Sequence, residues 1–204
     1  MFSTFDRIYT FSINTIAFIV AVVITALFWV GATHLFSNIS IYIPITIFGG
    51  LLGVLIGAYL YVILSIPFQL SKKFDVIKNK VALHGYESVD EFQKEIAAFI
   101  IKMFKYPGVS IDGGVFRFKG AEILTYNIDF DLEKLNSLSE NKPIIRLNGG
   151  KAFYIPIGIG SKDLGHMILI SNDFVLPIMH SILLDFESYM LDDQLLHVQY
   201  LTNK

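Results

Sequence analysis

The residues best suited to chemistry are five histidines, His34, His84, His166, His180 and His197, and the carboxylates of "DLEK" and "LDD". Imidazoles hold zinc when they sit at short helical spacings such as HxxxH, and no pair here does so. Each histidine therefore reads as structural, and no metal site is expected. General acid–base work needs a carboxylate within reach of a partner, whereas these carboxylates fall on helix faces expected to be solvated. Ser181 and Asp185 stand one turn apart, but His180 points to another face, so no triad forms. "GGKAF" and "GIGSKD" are glycine-rich, yet neither has the GK[ST] ending of a phosphate-binding loop. They read as hairpin turns. No catalytic residue and no cofactor is expected, and the chain reads as a non-enzyme.

The elements that position these residues divide sharply by charge. Among the 204 residues, 53 % are hydrophobic and the mean hydropathy is +0.57. After Asp6 and Arg7 no Asp, Glu, Lys or Arg occurs until Lys72. That interval holds two apolar runs, at about 8–30 and 41–66, and a helix of roughly 20 residues crosses a hydrocarbon core of about 30 Å. Neither run has a polar stripe, as a buried helix of a soluble domain would. The first is not read as a cleaved signal, because Asp6 cancels Arg7, the apolar core is long, and "WVGATH" is a poor cleavage site. The connector "GATHLFSNIS" has no Lys or Arg, while Lys72, Lys73, Lys78 and Lys80 follow the second run. Basic flanks stay on the cytoplasmic side. The sequence thus predicts a multi-pass protein of the inner (cytoplasmic) membrane with both termini cytoplasmic and the bilayer as its first partner. With no ionisable residue in either run, a transporter or pump is not expected.

Within the second run, "FGGLLGVLIGAY" places Gly49, Gly53 and Gly57 at intervals of four. Residues so spaced share a helix face, and small ones let another helix approach closely. The first run offers Ala17, Ala21 and Thr25 on a similar spacing. The groove fits either span one of the same chain or span two of another copy, so a homo-oligomer or a membrane-protein partner is expected.

From Lys72 onward the chain carries 15 basic and 17 acidic residues. No basic stripe points to nucleic acid. The absence of cysteine removes disulfides and thiol catalysis and fits a reducing compartment. Three parts are expected: a hairpin over 1–70, a basic helical stalk over 71–85 ended by Gly85, and a folded domain over 86–204. In the domain, Ser88 and Glu91 form a capping box, and Val89, Phe92, Ile96, Phe99, Ile100 and Met103 recur at helical spacing until "YPG". Strands are predicted at 109–111, 115–118 and 122–128, with "DGG" as a turn or bulge. "DFDLEKLNSL" reads as a short helix on Leu132, Leu135 and Leu138. "PIIRL", "KAFYIPIGI" and "LGHMILIS" are further strands. A long helix closes the chain on Met179, Ile182, Leu183, Phe186 and Met190, capped by Asn172 or Asp173, with Pro177 in its first turn. The layout is α+β, an antiparallel sheet with flanking helices.

Over about 86–200 this pattern resembles a GAF domain. "AFYIPIGIGSKDLGHMILIS" running into "LLDFESYMLDDQLLHV" is similar to the family's strand with a central proline, turn, strand opening on glycine, and long terminal helix. The resemblance implies a sensory or regulatory domain that binds a small-molecule ligand or a protein partner. It carries over no known ligand. No cysteine is present to attach a bilin, and "NKPII" keeps only the first two residues of the Asn-Lys-Phe-Asp-Glu signature of cyclic-nucleotide binders. The segment between the third and fourth strands is also short. The alternative is a non-catalytic subunit of an envelope machine, for secretion or pilus assembly, whose soluble domain docks. A polar-lined pocket would favour the first reading, and a filled interior with an exposed apolar patch the second.

Overall fold

The computed structural model describes residues 2–35, 39–106, 108–127, 138–139, 141–147, 150–172 and 175–202, with side chains from Thr15 in the first helix and from Ile43 in the second. The chain forms two compact units, Met1–Gln69 and Leu70–Lys204.

The first unit contains α1 (Phe2–Leu35) and most of α2 (Ile39–Ala82). Thr15–Leu35 and Ile43–Ala82 are long and apolar enough to cross a membrane. Their large side chains point outward: Phe18, Leu27, Phe48, Leu51 and Leu55 are all exposed. Small residues lie between the helices. A Cβ at Gly53 would stand 2.7 Å from the Ala21 carbonyl oxygen and 3.2 Å from the Thr25 hydroxyl, and one at Gly57 would stand 2.8 Å from the Ala17 carbonyl oxygen. At Gly49 it would meet Phe28, whose ring packs edge-on against Phe48 at 6.0 Å. The glycine face of α2 is therefore filled by α1 of the same chain.

The second unit begins inside α2, so the expected stalk is not a separate segment. Leu70, Phe74, Ile77 and Val81 are buried, and Phe74 meets Phe99 and Phe186 at 5.5 and 5.4 Å. The helix ends differently from expectation too. His84, not Gly85, takes the left-handed conformation (φ 54°), while the His84 and Gly85 amides close back onto the Val81 and Lys80 carbonyls at 3.0 and 2.9 Å. This is a Schellman-type ending with histidine where glycine is usual.

Helix α3 (Val89–Met103) starts at Ser88, whose hydroxyl accepts from the Glu91 amide at 3.2 Å. The Glu91 carboxylate reaches back to the Glu87 amide at 3.1 Å, one residue earlier than in the reciprocal box. Its buried face includes Val89, Phe92, Ile96, Ile100 and Met103, with Gln93 and Ala97 added and Phe99 only partly covered. Strands β1 (Lys105–Tyr106) and β2 (Val109–Ser110) form a small hairpin. Strands β3 (Gly113–Phe118), β4 (Leu124–Tyr126), β5 (Ile144–Arg146), β6 (Lys151–Ile159) and β7 (Lys162–Ser171) make an antiparallel sheet in the order β4-β3-β7-β6-β5. "DGG" is thus no turn, since Gly113 and Gly114 pair with Ile170 and Leu169 inside β3. The helix expected over "DFDLEKLNSL" lies outside the described residues except at its end, where buried Leu138 joins Val115, Ala152, Ile168 and Ile170 on one sheet face. The other face packs on helices: Phe118 on Phe92 at 6.3 Å, and Phe153 on His180 at 6.3 Å.

The closing helix is interrupted. It runs as α4 (Met179–Phe186), a π-helical turn (Glu187–Leu191) and α5 (Asp192–Thr202). Its start, Ile178, has no side-chain cap; the Asn172 amide instead donates to Asp112 at 2.7 Å, and Asp173 lies outside the described residues. Because a π-turn inserts one extra residue, burial passes from Phe186 to Leu191, Leu195 and Val198, leaving Met190 partly exposed.

Candidate functional site

The two longest strands and the π-turn meet at one place. β6 and β7 pair in register to Ile157–Gly165, then shift at Ile157/Gly158 and close through Gly158–Asp163 and Ile159–Lys162. Gly165 sits at φ 132° against the Arg117 backbone, a position closed to any side chain. A bulge of this kind bends its strand and increases the local twist. β5 covers β6 only from Lys151 to Phe153, with one further bond from the Tyr154 amide to the Pro143 carbonyl at 2.7 Å. Beyond Tyr154 the edge of β6 has no strand partner among the described residues. Pro156, which lacks an N–H, suits such an edge.

A cavity of about 520 Å³ opens here, lined chiefly by polar groups of Tyr154, Gly158, Ser161, Asp163, His166 and Glu187. That size is ordinary for a small-molecule site, which runs about 300–1,000 Å³. The Gly158 amide on the open edge donates to Glu187 Oε1 at 3.4 Å. The Asp163 carboxylate accepts from the Gly165 amide at 2.9 Å and pairs with Lys119 at 2.8 Å. The His166 ring lies 5.1 Å from that of Tyr154.

The electrostatics of the site are set by burial. Glu187 is 7 % exposed and Asp192, at the other end of the π-turn, 9 %. Desolvation first, then the neighbouring Asp192 carboxyl, pushes Glu187 up to about 8. Burial also raises Asp192, whose Oδ1 has no hydrogen-bond partner. His166 is lowered by burial and then by the Arg117 charge. Asp163 is lowered by its bond from Lys119 and then by the Gly165 amide. Burial thus favours the neutral form of Glu187, whose carboxyl is hydrogen-bonded to that of Asp192.

Sequence reasoning placed the "LDD" carboxylates in solvent, and for Asp192 this is corrected. It missed Glu187 because the α-helical period puts that residue beside the buried face, and only the π-turn carries it inward. Among the histidines, His166 lines the cavity, His84 and His197 stack at 6.2 Å, and exposed His34 stands apart on α1. No group of three or more potential ligands for a metal occurs among the described residues. Ser181 and Asp185 are exposed. "GIGSKD" forms the hairpin end at the cavity. Lys72 and Lys73 are exposed, and Lys78 reaches Asp75 at 3.9 Å. Lys80 is committed within its own unit, bonding Glu91 at 3.0 Å and Glu95 at 2.8 Å with its ammonium 4.1 Å from the Tyr86 ring centre. The glycines Gly49, Gly53 and Gly57 stay in the hairpin and take no part in the cavity.

Comparison of the chain with protein-family models, curated proteins and solved structures finds no match.

Proposed function

We propose that this is a non-catalytic membrane-anchored sensor or regulator whose second unit binds a small molecule in the cavity at the β6–β7 end. The cavity is the observation that carries the reading: it is polar, open to a ligand and flanked by a buried acid held neutral. A docking subunit of an envelope machine needs no such space. The GAF-like reading is supported by the order of helix, antiparallel sheet and closing helix, with Pro156 within β6 and Gly165 within β7. The membrane reading is supported by the outward-facing apolar side chains of α1 and α2. In this reading the hairpin lies in the inner membrane with both termini cytoplasmic, and α2, one unbroken helix across both units, links ligand to membrane. Output passes to a membrane-protein partner or to further copies of the chain.

Native mass spectrometry of the full chain from detergent tests this directly, reporting copy number and retained small molecules together. The expected result is an added small mass that Ser161→Trp, a bulky side chain at the cavity mouth, removes. No added mass on either protein would favour the docking subunit. Protease treatment of intact cells tests the topology: a tag after Lys204 should be protected and one near Ser37 cleaved, and the opposite pattern would overturn it.

A further inference from the structure

Strand β3 and its extension present two cations on one face of the sheet. Arg117 and Lys119 are two residues apart, and side chains so spaced along a strand point the same way; the Lys119 amide donates to the Leu164 carbonyl at 2.9 Å, which continues the ladder with β7. Lys119 has its anion, Asp163 at 2.8 Å. Arg117 has none among the described residues, whose ion pairs engage only Lys78, Lys80 and Lys119. Its Nε is buried without a hydrogen-bond partner. A buried donor left unmatched is costly, and an arginine fork matches a carboxylate or phosphate with two parallel bonds. This arginine stands beside the cavity. It lies opposite His166 in the β3–β7 register, so the two side chains share one face with their Cβ atoms about 5 Å apart. His166 lines the cavity, with the Tyr154 ring 5.1 Å away.

Resting on the ligand-cavity reading above, we infer that the small molecule bound there is an organic anion whose carboxylate or phosphate group lies beside His166 in the fork of Arg117. The acids of the lining do not oppose it. Asp163 is matched by Lys119 and by the Gly165 amide at 2.9 Å. Glu187 belongs to the closing helix, which packs on the sheet face bearing Phe153, and it is bonded to Asp192 and to the Gly158 amide. Tyr154, next along β6, faces the other way with His166 and Arg117. Lys162, exposed in the lining and in none of the ion pairs above, adds a second cation. An organic cation would meet Arg117 and Lys162 with no acid left unmatched on their face among the described residues. A neutral ligand would leave the arginine fork unfilled.

Four small probes separate the possibilities: succinate, butyl phosphate, 1,4-butanediol and 1,4-diaminobutane. Each is offered to the full chain in phosphatidylcholine nanodiscs, with binding read by saturation-transfer NMR. The expected result is a response from an anion alone, succinate or butyl phosphate, the stronger of the two telling carboxylate from phosphate. Ser161→Trp should abolish it, and Arg117→Gln, which removes a charge-assisted bond, should weaken it roughly tenfold. Arg117→Lys keeps the charge but loses the fork, so the response should weaken there by a smaller factor. An anion response unchanged in Arg117→Gln, in Arg117→Lys or in Ser161→Trp overturns the inference. A response from the diol or the diamine that Ser161→Trp abolishes overturns it too, while leaving the cavity as a ligand site. Silence from all four probes overturns both the inference and the reading beneath it.

Discussion

The hairpin and the second unit are packed inside out with respect to one another. In the hairpin, Phe18 is 69 % exposed and large apolar side chains cover the outside, while glycine, alanine and threonine meet between the helices. In the second unit, Phe74, Phe92, Phe104, Phe116 and Phe186 are fully buried, and Tyr189 and Tyr200 lie outside. On the membrane reading proposed above, each arrangement suits its own solvent. Water drives large apolar groups inward. Lipid is indifferent to them, so helices there are held by close backbone approach. The cavities follow the same division. The hairpin's cavity, about 630 Å³, is walled by Leu27, Phe28, Leu35, Pro44 and Phe48, whereas that of the second unit is polar. On the membrane reading proposed above, the hairpin's apolar recess faces lipid and selects little, whereas polar groups in a recess facing water can select a ligand.

The largest effect expected is from Gly53→Ile. The new side chain has no room against the Ala21 carbonyl, so α1 must move away. Spin labels on exposed Leu27 and Leu51 should separate by on the order of 2 Å, as glycine contact gives way to the usual 8–10 Å between helix axes. The amide exchange of the second unit should not change. An unchanged label distance would remove glycine packing as the hairpin's support.

The counterpart in the second unit is Gln93→Leu. Buried Gln93 accepts from the Phe118 amide at 2.9 Å and donates to the Glu122 carbonyl at 2.7 Å, tying α3 to the sheet. Leucine keeps the bulk but leaves both partners unsatisfied, at a cost of about 2 kcal/mol. Hydrogen exchange at the Phe118 amide should accelerate ~30-fold. A hairpin label distance altered by this change would break the separation of the two regions.

A smaller effect is expected from pH. Glu187 is raised in the folded state, so the stability it contributes is fully present below the ordinary glutamate value of about 4.5 and is lost as pH rises through about 8. Asp192 acts in the same sense. Glu91 acts in the opposite sense: bonds from Lys80 and then the Glu87 amide lower it, so its contribution is lost as pH falls below about 4.5. Melting of the second unit should therefore weaken from pH 5.5 to 9 in the wild type and less steeply in Glu187→Gln. Equal slopes would show that Glu187 does not titrate in this range. Least of all is expected from Lys80→Met, which removes partly exposed ion pairs worth about 0–1 kcal/mol. A larger loss would make Lys80 a main tie between α2 and α3.

The two regions were not equally legible in the sequence. The apolar helices were legible from their length and lack of charge and the glycine face from its spacing, although the sequence left open whether span one or another copy fills it. The Ser88 cap, the helix on Phe92 and Ile96, and strands β6 and β7 were legible from their spacing as well. What escaped were departures from period. Gly113 and Gly114 look like a turn but lie in β3, where Tyr126 and Ile168 come too close for side chains. His84 occupies the left-handed position that glycine usually takes. The π-turn carries Glu187 and Asp192 inward, so Glu187, the buried acid at the cavity, was hidden by the helical spacing that identified the helix.

The central claim is that the cavity at the β6–β7 end is a small-molecule site. Hydrogen–deuterium exchange of the full chain in nanodiscs tests it most directly, with and without a small-molecule extract of the source cells, for wild type and Ser161→Trp. The account predicts protection confined to 158–166 and 187–192 in the wild type and none in the variant. Identical exchange with and without extract, in both proteins, would contradict it.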